Sequence, residues 1–313
     1  MQDLAVAEVA TRSPDAGGPA GGPMDRARAL VVDPQKALPV LATAIAFALL
    51  FANPASTLAR DLWTNPDAGH GLLLIPLAGW LAWKRGIAPN AAAQPYFGAT
   101  ILLGAIVLRY VSGLAAELFT MRFSMFMAAI GLIVFYKGVR QVLHWWLPTI
   151  LVFLSIPLPV VVLGSLALPL QFQASRIGAA LLEWRHVPVL LNGNVMQIPG
   201  QTLFVTEACS GLRSLSALIA LGVLIGGLWL RYPVSRVLLL ALTIPVAILL
   251  NGVRVFLTGF LVFFVDPKLG EGFMHMTEGW IIFVVAFAIL GATSWAMLQG
   301  ESLFAAWRAR RAS

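Results

Sequence analysis

Eight long apolar segments recur between Leu38 and Gln299, at about 38 to 58, 70 to 83, 95 to 116, 123 to 136, 146 to 169, 212 to 230, 237 to 260 and 280 to 299. A helix needs about 20 mostly apolar residues to cross a hydrocarbon core of roughly 30 Å, and helices and closed barrels alone satisfy their backbone groups there. Charged residues make up 11% of the chain, against about 25% in an average soluble domain, and 59% of residues are hydrophobic. These features predict an all-α polytopic membrane protein of about eight transmembrane helices. The second and fourth segments are short for a full crossing.

Basic residues orient the spans. With the N-terminus inside, Arg60, Arg122, Arg176, Arg185 and Lys268 fall outside and Arg109, Arg213 and Arg254 fall in or beside spans; the remaining 13 of the 21 lie on inner segments. That bias predicts both termini in the cytoplasm. It also accounts for the net charge of +7 without invoking nucleic acid. Residues 1–35, rich in Gly, Pro and Ala with no apolar run, read as a disordered cytoplasmic leader rather than a signal peptide. Residues 36–300 form the membrane domain and 301–313 a basic cytoplasmic tail.

One outer connection differs from the rest. Residues 170–208 open with Gln171-Phe172-Gln173-Ala174-Ser175-Arg176, an amphipathic interfacial helix expected to reach about Trp184. Asn192-Gly193-Asn194 and Pro199-Gly200-Gln201 then punctuate short apolar runs, predicting a small periplasmic β-hairpin or meander between spans five and six. It leads into Glu207-Ala208-Cys209, the chain's one cysteine.

Three polar groups reach the outer face. Cys209, Arg213 and Ser216 fall at i, i+4 and i+7 of the sixth span, and Asn251, Arg254 and Thr258 make a similar stripe in the seventh. Counted from Val237, Arg254 lies about 25 Å along a core of roughly 30 Å. The following outer loop, Asp266 to Glu278, carries His275. Taken singly, each has a blander reading: a Cys as a small buried hydrophobe, an Arg that snorkels, a loop histidine. Arg109 and Arg122 are expected to snorkel or to pair with Glu117. Their common depth favours a site, because an Arg retained inside a span costs about 2.5 to 3.5 kcal/mol and needs a partner.

Thiol chemistry suits this set. A helix N-terminus and a nearby cation lower a thiol pKa from about 8.5, so Cys209 can attack a carbonyl as the thiolate. Arg254 can stabilise the thiolate or the oxyanion, and His275 can serve as acid and then base. Glu207, Ser210, Arg213 and Asn251 are the expected supporting or substrate-binding residues. His70, His144, His186 and His275 have no metal-ligand spacing, so neither metal nor cofactor is expected.

The run Thr206 to Leu215, Asn251-Gly252-Val253-Arg254-Val255, and His275 followed by Gly279-Trp280 resemble the three motifs of the exosortase/archaeosortase family. Trp63-Thr64-Asn65-Pro66, His70-Gly71, Ile156-Pro157-Leu158-Pro159 and Gly193-Asn194-Val195 extend the resemblance over roughly residues 55 to 290. It implies a bacterial inner-membrane cysteine transpeptidase with Cys209 as nucleophile, Arg254 as the family arginine and His275 as the family histidine. The implied partners are secreted proteins with a C-terminal sorting signal of the PEP-CTERM kind, membrane lipids and an acceptor nucleophile that the sequence leaves open. The family is linked to exopolysaccharide production and surface display. Where the family usually has Tyr-Ser-His-Gly, this chain has Ala68-Gly69-His70-Gly71. No further periplasmic domain follows the eighth span, which suggests a stand-alone form. The alternatives are a transporter or export component binding an anion through intramembrane arginines, against which no inverted repeat is visible, and a non-catalytic assembly factor.

Overall fold

The computed structural model describes residues 34–65, 68–205, 212–267 and 272–312, the side chains of 34–37, 160, 212–213, 272–279 and 312 excepted. The described residues form ten helices and one small sheet. In chain order these are α1 (Pro34–Thr64), α2 (Gly71–Arg85), α3 (Pro95–Leu114), α4 (Leu118–Lys137), α5 (Val139–His144), α6 (Trp146–Leu154), α7 (Val160–Trp184), strands β1 (Leu190–Asn192), β2 (Val195–Ile198) and β3 (Gln201–Phe204), then α8 (Leu212–Trp229), α9 (Pro233–Phe264) and α10 (Gly272–Ala312). Five helices are long and apolar enough to cross a membrane: Leu38–Thr64 of α1, all of α3, α4 and α9, and Trp280–Arg311 of α10. Residues 1–33, most of the expected leader, lie outside the described residues.

Two compact units divide at Ala52 and Asn53, within α1. In the first, the rings of Phe47 and Phe51 pack with centroids 4.9 Å apart.

The expected fifth span, 146–169, is broken. α6 ends at Leu154 and α7 begins at Val160, with Ile156-Pro157-Leu158-Pro159 between them. Pro157 and Pro159 lack N–H donors and push the residues before them out of the helical region, so an apolar run need not be one helix. The interfacial helix expected from Gln171 is the C-terminal part of α7. At 15 residues α2 is short, and α6 runs back along it, Leu147 and Leu151 packing against Leu74, Ala78 and Leu81.

α3 and α4 form a tight hairpin through Ala116, which has φ 52°. Gly98 lets them approach: a Cβ there would stand 2.5 Å from the Phe135 backbone. The Glu117 carboxylate caps α4, accepting from the N–H groups of Phe119 at 3.0 Å and Thr120 at 2.6 Å. Arg122 therefore pairs elsewhere than expected, donating from Nη2 to Asp61 Oδ2 of α1 at 2.7 Å.

At one end of the unit the basic residues gather. Arg85 donates to the His144 carbonyl at 3.0 Å, and the Arg85 and Arg236 guanidinium groups stack on Trp146 at 5.7 and 4.8 Å. Arg236 also donates to the last carbonyl region of α8 at Leu230. Glu301 of α10 accepts from the backbone N–H groups of Arg231 and Tyr232, satisfying the start of α9. These contacts fix α8 and α9 as antiparallel neighbours.

The other end carries the sheet, an antiparallel meander β1-β2-β3. Asn192 pairs with Val195 and Ile198 with Gln201, so both turns have two residues, with Gly193 at φ 63° and Gly200 at φ 81°. Pro199-Gly200 supplies the order that a turn with a left-handed second residue requires. Met196 and Ile198 point to one face and are buried with Ala179, Leu182, Val255 and Val262. Burial of each such large side chain outside a membrane contributes about 1.5 to 3 kcal/mol. α7 and α9 meet through small residues: a Cβ at Gly178 would lie 2.6 Å from Val255 Cγ1, and one at Gly259 2.8 Å from Leu182 Cδ1.

Candidate active site

Arg254 sits on the face of α9 that meets both α8 and α10. With Asn251 one turn earlier it borders a cleft of about 10 Å³, closed by Ser214 and Leu218 of α8 and by Ile282 and Phe283 of α10. That space holds about one water molecule. Asn251 is buried, and Thr258 at the next turn donates its hydroxyl back to the Arg254 carbonyl at 3.1 Å. The register of α9 is set on its opposite side by Gly252, whose missing Cβ admits the side chain of Ile177.

Ser214 in the first turn of α8 and Ile282 and Phe283, about three turns into α10, line this cleft. Ser214 stands five residues after Cys209, and Ile282 seven after His275. Arg213 belongs to the first turn of α8 and His275 to that of α10. The loop expected through Glu278 thus gives way to helix from Gly272. Glu207, Cys209 and Ser210 lie outside the described residues, as do the side chains of Arg213 and His275. Arg254 and Asn251 are the expected site residues whose surroundings are described, and they come together with Ser214.

The strand side of the cysteine segment is anchored. Val205 is 3% exposed; its N–H donates to the Asn194 carbonyl at 2.9 Å, and its own carbonyl accepts from Asn194 Nδ2 at 3.1 Å. The same Nδ2 reaches Gln171 Oε1 at 3.0 Å. A segment of six residues, 206–211, joins this anchor to Leu212 at the head of α8.

A second space opens on another side of α8. Ser216, expected from the sequence to share a stripe with Cys209, and Ile219 line a cavity of about 130 Å³ with Asn65, His70, Phe153 and Ile156. Gly71 brings the His70 turn into place, since a Cβ there would meet Leu62 Cδ2 at 2.5 Å and the Ser155 carbonyl at 3.1 Å. Periodicity pointed to Ser216 but not to its neighbours, which come from three separate segments. Ser214 and Asn194 lie in stretches that the family resemblance covers, but the partners they meet had no sequence signal.

Among known proteins, no curated protein and no solved structure matches this chain. Residues 62–292, well over half its length, match the family profile described as transmembrane exosortase (Exosortase_EpsH). That match takes in the His70 turn, the meander, the segment bearing Cys209 and the three helices around Arg254, and the chain belongs to the transmembrane exosortase family.

Proposed function

We propose that the chain is a membrane-embedded cysteine peptidase or transpeptidase that cleaves the C-terminal sorting signal of exported proteins. The observation that carries this reading is the meeting of Arg254 and Asn251 with Ser214 in the first turn of α8, the helix that follows Cys209, and with Ile282 and Phe283 of α10, the helix that contains His275, in a chain of the exosortase family. In the first half-reaction the Cys209 thiolate attacks the carbonyl carbon of the scissile peptide. A C–S bond forms, the C–N bond breaks, and protonated His275 gives its proton to the leaving amine. Arg254 stabilises the oxyanion of the intermediate or the thiolate before it. In the second half-reaction water, an amine or a lipid hydroxyl attacks the thioacyl carbon, passes its proton to His275 and releases the thiolate.

The substrates are secreted proteins with a PEP-CTERM-like signal: a short motif, an apolar helix and a basic tail. The protein resides in the bacterial inner membrane with both termini cytoplasmic and Cys209 on the periplasmic side, serving surface-protein sorting linked to exopolysaccharide. Eight crossings follow if α2, α6 with the residues up to Pro159, and α8 complete the five longer helices.

Co-expression with a tail-signal protein tests the reading. Cys209→Ala is expected to abolish processing while inserting normally, and processing that survives in this variant would sink the thioacyl mechanism. Arg254→Lys keeps the charge but loses the planar fork, and is expected to be nearly as damaging as Arg254→Ala. Mass spectrometry of the product's new C-terminus separates a free carboxylate, from a peptidase, from an attached group, from a transferase.

A further inference from the structure

The cavity beside Ser216 is lined mostly by apolar side chains, Phe153, Ile156 and Ile219 among them, with three polar residues, Asn65, His70 and Ser216, at its wall. An apolar space with a few placed polar groups is the usual form of a binding site. Among the described residues no lysine, arginine, aspartate or glutamate lines it, and its described walls are mostly apolar. Its volume of about 130 Å³ is close to that of an engineered apolar cavity of about 150 Å³ that admits benzene. One branched aliphatic or small ring fills such a space, whereas a whole acyl chain or a small-molecule cofactor does not fit.

Position connects it to the chemistry. Ser216 and Ile219 lie on α8 seven and ten residues after Cys209. Arg254 borders α8 from another side, at Ser214 and Leu218. α8 therefore carries the arginine cleft and this cavity on two sides of the same N-terminal half.

We propose that this cavity is the specificity pocket of the enzyme: it receives one mid-sized apolar side chain of the substrate next to the bond that Cys209 attacks. The assignment rests on the peptidase reading above and names the substrate feature that this site selects.

The test uses the full-length protein in membranes with a co-expressed tail-signal substrate, each position within three residues of the cleaved bond being changed in turn to Ala, Val, Leu, Trp or Asp. The wild type is expected to prefer Val or Leu at one position and to reject Trp and Asp there. Ile219→Phe should shift that preference toward Ala, and Ile219→Ala toward Trp, each by about tenfold in relative processing rate. Rankings within each variant are independent of how much protein folds. Cys209-dependent processing with the wild-type ranking kept in both Ile219 variants would overturn the pocket and leave the peptidase standing. Processing that persists in Cys209→Ala would instead remove the peptidase reading and the pocket with it.

Discussion

Asn194 holds Val205 by both backbone groups, taking its N–H at 2.9 Å and donating Nδ2 to its carbonyl at 3.1 Å. Val205 is the last described residue before the segment that contains Cys209, so a turn amide between β1 and β2 fixes where that segment departs.

Replacing Asn194 should therefore loosen the cysteine segment without disturbing the spans. Asn194→Ala removes the donor shared by Gln171 and Val205 and leaves two carbonyl oxygens short of a partner, a cost of about 1 to 3 kcal/mol. Asn194→Asp is expected to be worse, because a carboxylate oxygen would face those same two acceptors. Processing of a tail-signal substrate should fall about tenfold or more in both, with membrane insertion retained. Unchanged processing in Asn194→Asp would show that the anchor at Val205 is irrelevant to the nucleophile.

The ion pair between Arg122 and Asp61 ties α4 to α1. The Arg122 side chain is 3% exposed and that of Asp61 32%, so the pair is buried on one side only. Removing one partner of a fully buried pair costs about 3 to 5 kcal/mol, and solvent at Asp61 lowers the expectation to about 2 kcal/mol. Asp61→Asn should lower the melting temperature in detergent, and Asp61→Glu should recover part of the loss. Equal melting temperatures for the wild type and Asp61→Asn would mean that water satisfies Arg122 as well as the carboxylate does.

Acid sensitivity has a named contributor in Glu117. Burial alone would raise its pKa, but hydrogen bonds from the Thr120 side chain and backbone and from Phe119, with the charge of Arg122, hold it below the ordinary value. A depressed folded pKa gives stability that is complete above the unfolded value, about 4.3, and is lost as pH falls through the lower folded value. The cap contributes about 1 kcal/mol. Melting curves between about pH 6 and pH 3 should show Glu117→Gln less stable than the wild type at the upper end, with the gap closing toward the lower. A gap that stays constant with pH would show that the charge on Glu117 plays no part.

Local chemistry made much of this fold legible. Gly193 and Pro199-Gly200 mark two turns, and the alternation Met196-Gln197-Ile198 marks a one-faced strand, so the meander could be read before its pairing was known. The long spans around Asn251 and Arg254 follow from hydropathy. Hydropathy measures content rather than continuity, which is why the run 146–169 hid the break at Pro157 and Pro159. Sequence alone offers Arg122 either the interface or Glu117, five residues away, whereas its partner is 61 residues distant and Glu117 is engaged in a helix cap. The cavity at His70 was least legible, since its walls come from the turn before α2, the break after α6 and the start of α8, and periodicity within any one segment cannot show that meeting.

Gly252 links packing to the site, because it stands between Asn251 and Arg254 on the opposite side of α9 and receives Ile177 of α7. Ile177 is β-branched and stiff at χ1, so it cannot swing away from an added methyl as a flexible chain would. Gly252→Ala should push α9 from α7, at a cost of about 1 to 3 kcal/mol, and shift Arg254 relative to Ser214. The expected result is a fall in processing larger than the fall in thermal stability alone explains. Shortening the opposing side chain in Gly252→Ala/Ile177→Ala should restore both, a coupling that a double-mutant cycle measures directly. Additive losses in the double variant would mean that Gly252 acts through something other than its contact with Ile177.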